Sequence, residues 1–228
     1  MVRLLAAGLV SLLALGDAGP PAAPPSPSPE PKLVTIDPTN LTVIKRESGP
    51  VNYYSVVAST GDGGSFVRSE YKPPYPTAVL GYQVPDELRK SISGIRWKWR
   101  ALVLPIGGNE CTKGKEDSAA TIYLTWKRGL RWYTLKYCWS AVGPKGAVCD
   151  QRRNPFVAQD TTILESGGPL DEWKSVRIDL DAEFRKHFAD GNPKASVPDF
   201  GGFGIMSDGD QTQSLSSADF AGFELELR

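Results

Sequence analysis

Residues 171–228 read DEWKSVRIDLDAEFRKHFADGNPKASVPDFGGFGIMSDGDQTQSLSSADFAGFELELR, and the hydrophobic period changes along them. Residues 173–179 (WKSVRID) alternate apolar and polar side chains, the period of a half-buried strand. Residues 181–188 (DAEFRKHF) instead place Phe184 and Phe188 four apart, on one helix face. Residues 202–206 form a short apolar run, and residues 220–227 (FAGFELEL) alternate again. A strand, a short helix and two strands in that order close a β-sandwich.

The same signals recur upstream, at residues 51–58 (VNYYSVVA), 65–71 (SFVRSEY), 78–84, 93–104 (SGIRWKWRALVL), 119–126, 132–139 (WYTLKYCW) and 161–166. Turn residues separate them, as in GDGG at 61–64, PPYP at 73–76, GGNE at 107–110 and GGP at 167–169. The pattern predicts an all-β protein, a two-sheet β-sandwich with one or two short helices, at 86–90 (DELRK) and 181–188.

Arg3 precedes an apolar run at 4–15, followed by the small residues Gly16 and Ala18, which predicts a secretory signal peptide over residues 1–18. That run is shorter than the roughly 20 residues a membrane-spanning helix needs, so no membrane insertion is expected after cleavage. Residues 19–31 (GPPAAPPSPSPEP) read as a Pro/Ser-rich leader, and residues 32–228 as a single β-sandwich domain. The expected location is periplasmic or secreted. The 26 basic and 26 acidic residues supply no field for nucleic acid.

Three cysteines in an exported chain predict one disulfide and one odd thiol. Cys138 ends a strand and Cys149 follows across a loop, so Cys138–Cys149 is the expected bridge, with Cys111 to either as the alternative. One histidine and no paired CxxC argue against structural zinc.

In RWKWR (96–100), Trp97 and Trp99 share one strand face and Arg96, Lys98 and Arg100 the other, so the indoles should pack inside and the cations point out. A cationic face lining a groove is the functional alternative, with Arg100 bonding hydroxyls. The strand at 132–139 carries aromatics on both faces, which makes Tyr137 and Trp139 candidates for stacking on sugar rings. The loop at 206–214 (MSDGDQTQS) offers Asp208, Asp210 and Thr212 either to a polyhydroxylated ligand or to calcium; the plain alternative is a loop bonding its own backbone. Asp117 in KGKEDS is a further hydrogen-bonding candidate, and with Asp208 it would form the carboxylate pair of a glycan hydrolase or lyase. His187 stands alone, and no GxSxG elbow or phosphate loop is present, which disfavours nucleophilic catalysis.

GIRWKWRAL, KEDSAATIYLTW, LKYCWS, TTILESGG, the FRKHF block and FGIMSDGDQTQSLSSADFAGFEL occur in this order, and over residues 51–227 the chain resembles an uncharacterised bacterial exported family, domain of unknown function 3047. The resemblance places the family's motifs on Trp97, Trp99 and Arg100, on Glu116 and Asp117, on Tyr137, Trp139 and Ser140, and on Asp208, Asp210 and Thr212. Glu116 departs from the family's Asp, and Cys138 and Cys149 look particular to this chain. The C-terminal half is similar to galactose-binding-like jelly rolls, which implies carbohydrate binding by analogy of fold and, near the chain ends, a structural calcium held by Asp219 or Glu224.

The combined expectation is an exported, non-catalytic module that binds a glycan or other polyhydroxylated ligand, with no cofactor unless calcium serves the 206–214 loop. The alternatives are a carboxylate-dependent hydrolase or lyase and an envelope interaction protein without a small ligand.

Overall fold

The computed structural model describes residues 30–44, 53–58 and 64–228. The predicted signal peptide, all but the end of the leader, the start of the strand expected at 51–58 and most of the GDGG turn lie outside these residues. Pro31–Arg228 form one compact unit.

In chain order the strands are β1 (Lys32–Thr35), β2 (Thr42–Val43), β3 (Tyr54–Val57), β4 (Phe66–Tyr71), β5 (Leu80–Gln83), β6 (Ile92–Val103) and β7 (Ser118–Arg128). They continue with β8 (Arg131–Ser140), β9 (Val148–Arg153), β10 (Val157–Ser166), β11 (Lys174–Asp179), helix α1 (Leu180–Phe188), β12 (Phe200–Met206) and β13 (Ser216–Leu227). One sheet runs β11-β6-β13-β4-β3, with β1 also on β13; the other runs β2-β5-β12-β7-β8-β10-β9. The two sheets make a sandwich of jelly-roll type. Every described pairing is antiparallel except that of β8 with β10.

Alternation decides what each strand buries. On β6, Ile95, Trp97, Trp99 and Ala101 enter the core, where Trp99 meets Trp139 of β8 edge-on with ring centres 6.0 Å apart. Full burial of a large apolar side chain such as Ile95 is worth about 1.5–3 kcal/mol. Arg96 and Arg100 of β6 face outward into acidic partners. Asp219 of β13 lies in register between Arg68 and Arg100 and accepts from both, at 2.8 Å from each Nε. Glu226 likewise sits between Arg96 and Arg177. This arrangement excludes Asp219 from the calcium role that the jelly-roll analogy implied, because its carboxylate is buried and committed to two guanidinium groups.

Helix α1 starts where the Asp179 side chain accepts from Ala182 N at 2.9 Å, and its acidic first turn and basic last turn suit the helix dipole. Phe184 packs against Trp126 and Tyr133, so the helix anchors on the aromatic core. The other expected helix, at 86–90, is a turn leading into a single 3-10 turn at Arg89–Ser91. Pro85 opens that turn, and the β6 strand begins immediately after it, which leaves too little chain for a helix.

The expected Cys138–Cys149 bridge is corrected. β10 lies between β8 and β9, so these two cysteines sit on strands separated by two inter-strand spacings of about 4.8 Å, beyond disulfide reach. Cys149 on the edge strand instead bonds Cys111, with Cα atoms 5.4 Å apart, and Cys138 is a buried free thiol. Cys111 reaches it from the long β6–β7 connection, which folds back over the sheet.

Candidate functional site

The outer face of the seven-stranded sheet carries a mixed aromatic and polar surface, built by the side chains that alternate with the core. β7 buries Ile122, Leu124 and Trp126 and turns Tyr123, Thr125 and Lys127 outward; β8 buries Tyr133, Leu135, Tyr137 and Trp139 and turns out Trp132, Thr134 and Lys136. Gly81 of β5 and Gly202 and Gly204 of β12 put no side chain beside them. Gly202 has φ +149°, and a Cβ there would sit 2.2 Å from the Tyr82 carbonyl oxygen, so only glycine fits.

Two cavities share Val79, Tyr123 and Gln159 and so form one trough. The larger, about 820 Å³, is bordered by Trp132, Thr125 and Thr134. Trp132 is 46% exposed, and the Lys127 Nζ lies 4.8 Å from its ring centre. The smaller, about 580 Å³, is bordered by Glu110, Lys136, Asp208 and Asp210, with the Cys111–Cys149 bridge in its wall.

Charge is concentrated at this second end. Lys136 Nζ donates to Glu110 Oε2 at 2.6 Å, and the Ser118 hydroxyl donates to the other Glu110 oxygen. Burial disfavours the Lys136 charge, yet its pKa is raised, and at neutral pH the charge that holds its ammonium is the Glu110 carboxylate. Burial pushes Asp208 up to about 8, with Asp210 and Asp117 adding to the rise. Asp208, Asp210 and Asp117 bring carboxylate oxygens within 4.8 Å of one another.

The sequence candidates divide accordingly. Asp117, Asp208 and Asp210 come together, and Thr212 joins them through its N–H, which donates to Asp117 Oδ2 at 2.6 Å, while Gln211 N donates to Oδ1 at 3.2 Å. Asp208 and Asp210 border the trough; Asp117 is fully buried behind them and holds the loop. Arg100 is remote, on the outer face of the six-stranded sheet, where it bonds Asp219 and Asp171 and lies over Trp173. Tyr137 and Trp139 are corrected as stacking residues: they are 2% and 1% exposed, on the core face of β8. The aromatic positions that do face the trough are Tyr123 and Trp132. The alternation of 119–126 carries the signal for Tyr123, opposite Ile122 and Leu124, but Glu110 and Gln159 become visible only once the β6–β7 connection and β10 are placed.

The family model described as protein of unknown function (DUF3047) matches residues 77–224. The chain belongs to this family. The matched segment of this DUF3047 member includes β5 through most of β13, and with them both ends of the trough. No curated protein sequence matches the chain. Among solved structures it is similar to a family 11 carbohydrate-binding module from Clostridium thermocellum in complex with a β-1,3-1,4-mixed-linked tetrasaccharide, at 10% identity and TM-score 0.42 over 85% of this chain and 95% of that one. It is similar also to the xyloglucanase domain of a type three effector from Sinorhizobium fredii in complex with cellobiose, at 11% identity and TM-score 0.43 over 88% and 100%. A third is endoglucanase 3 from family GH12 of Trichoderma harzianum, at 9% identity and TM-score 0.39 over 89% and 100%. Among the described residues no helix is long and apolar enough to cross a membrane.

Proposed function

We propose that this chain is an exported module that binds a glycan along the outer face of the seven-stranded sheet and releases it unchanged. One observation carries the reading: the trough runs from an exposed indole, Trp132, past Tyr123 to a charged end at Lys136, Glu110 and Asp208, with Thr125, Thr134 and Gln159 between. A sugar chain presents apolar CH faces and rows of hydroxyls, and this surface offers rings for the first and side-chain donors and acceptors for the second. Export is supported by the basic-then-apolar N-terminus and by the Cys111–Cys149 bridge, since disulfides persist in oxidising compartments.

Hydrolysis by Asp117 with Asp208 is a weaker reading. Asp117 is enclosed and accepts two backbone N–H groups, so it does not reach a bond lying in the trough. The test is thermal unfolding and calorimetric titration of the purified chain against a panel of cell-wall and plant polysaccharides, with the saccharide analysed afterwards. A ligand that binds only the folded chain raises its unfolding temperature. Binding that disappears in Trp132→Ala, with the saccharide recovered intact, supports the proposal. Binding indifferent to Trp132→Ala and Tyr123→Ala, or a saccharide recovered in fragments, overturns it.

A further inference from the structure

Beneath the charged end of the trough, the loop after β12 turns back so that Asp208 and Asp210 meet Asp117 from the start of β7, and no two of the nearest carboxylate oxygens are more than 4.8 Å apart. Two oxygens bound to one calcium ion at about 2.4 Å are separated by at most about 4.8 Å, so the three carboxylates meet the separation that one shared ion requires. Asp117 and Asp208 are buried, and among the described residues neither makes an ion pair with a lysine or arginine. Lys136, the nearby cation, is held by Glu110.

A second observation is independent of the carboxylates. Tyr71 of β4 is 1% exposed, and among the described residues its hydroxyl has no hydrogen-bond partner. The ring lies against the loop between the two aspartates, so close that a Cβ on Gly209 would be 2.7 Å from it. The charged groups that act on its hydroxyl are Asp210, Asp208 and Asp117. Buried hydroxyls are almost always bonded, and a water carried by an ion would supply what this one lacks.

We propose that Asp117, Asp208 and Asp210 bind one calcium ion, with the Tyr71 hydroxyl bonded to a water in its coordination shell. The donor set is carboxylate oxygen throughout, which suits a hard cation and not zinc or copper. Gly209 is the position that admits the Tyr71 ring. The ion fixes the loop at 207–214 to the start of β7 and so shapes the wall of the trough that Asp208 and Asp210 form.

The test uses the full chain, stripped with chelator, and calcium chloride as the probe, with no saccharide present, so it succeeds or fails independently of glycan binding. Titration calorimetry should report one calcium per chain, and calcium should raise the unfolding temperature. Asp210→Asn should weaken calcium by about tenfold or more, since affinity follows the number of charged ligands; Asp208→Asn serves if that variant does not fold. Tyr71→Phe, which keeps the ring on Gly209, should fold and bind calcium more weakly. The absence of heat and of any thermal shift up to about 10 mM calcium, well beyond the range of extracellular calcium modules, overturns the proposal. So does calcium binding that the aspartate variants leave unchanged, or a response to magnesium but not to calcium.

Discussion

Lys136 Nζ sits 2.6 Å from Glu110 Oε2 in the trough, and the two carry opposite charges on side chains almost withdrawn from water. Removing one partner strands the other. Lys136→Met should destabilise the chain by about 3–5 kcal/mol, whereas the double change Lys136→Met with Glu110→Leu should recover most of that loss. Urea denaturation of the three variants at neutral pH measures both terms; equal losses in the single and double variants would mean that packing, not charge, holds this end.

A second charged network ties α1 to the sheet. His187 Nδ1 lies 2.8 Å from Asp160 Oδ2, His187 Nε2 3.2 Å from Glu183 Oε2, and the Tyr137 hydroxyl donates to Glu183 at 2.8 Å. Hydrogen bonding from His187 lowers Glu183 from 4.5 to about 2. Burial opposes the charge on His187, but Glu183 and Asp160 outweigh it and raise its pKa above 6.5. Glu183 therefore contributes fully above pH 4.5 and loses its contribution as the pH falls towards 2. His187 contributes fully below pH 6.5 and loses its contribution as the pH rises through its raised value. Glu183→Gln should cost about 1–2 kcal/mol near pH 5.5 and clearly less near pH 9. Denaturation at the two pH values reads the difference, and a cost that does not change with pH would remove His187 from the network.

Two tryptophans on one strand should behave in opposite ways. Trp139 is core and its indole N–H donates to the Gly167 carbonyl at 2.8 Å, so Trp139→Ala should cost about 3–5 kcal/mol. Trp132 is half in water, so Trp132→Ala should change stability by about 0.5 kcal/mol or less while abolishing glycan binding. Paired melting and binding curves separate the two effects.

The bridge from Cys111 to Cys149 encloses the β7–β8 hairpin, joining residues at a sequence separation of 38. Chain entropy in the unfolded state makes a bridge of that span worth about 3–4 kcal/mol. Cys149→Ser should lose about that much, and Cys138→Ala should keep the bridge. Thiol titration under denaturing conditions should find one free thiol in the wild type and none in Cys138→Ala; a second thiol in the wild type would contradict the pairing.

The sandwich is legible because alternation is a local signal, strong in strands such as β6, β7 and β13, where Trp97, Leu124 and Phe223 mark the buried side. β9 is not legible: VCDQRR has no apolar alternation, and an edge strand exposed on both faces needs none. Missing β9 turns residues 141–148 into an apparent hairpin and sends Cys149 to the wrong partner. Tyr137 and Trp139 mislead for a related reason. Aromatics occupy both faces of β8, so the sequence does not say which face is core until β7 and β10 take their places beside it. Asp117 and Asp208 are both visible as candidates, yet their meeting depends on a loop crossing from one strand end to another across more than ninety residues of chain. Tyr71, whose ring packs against that loop at Gly209, looks in the sequence like any other strand residue.

The glycine lane beside the trough also bears on how members of such a family could diverge. At Gly202 the backbone leaves no room for a side chain, so this position is closed to variation. At Gly81 a new methyl would meet the Ile44 side chain at 2.8 Å and the Phe203 carbonyl oxygen at 3.3 Å, and at Gly204 it would meet Val79 Cγ1 at 2.5 Å, so each neighbour would have to shift. A substitution at either position would narrow the channel only by displacing Ile44 or Val79, so the width of this lane is tied to how those two side chains pack.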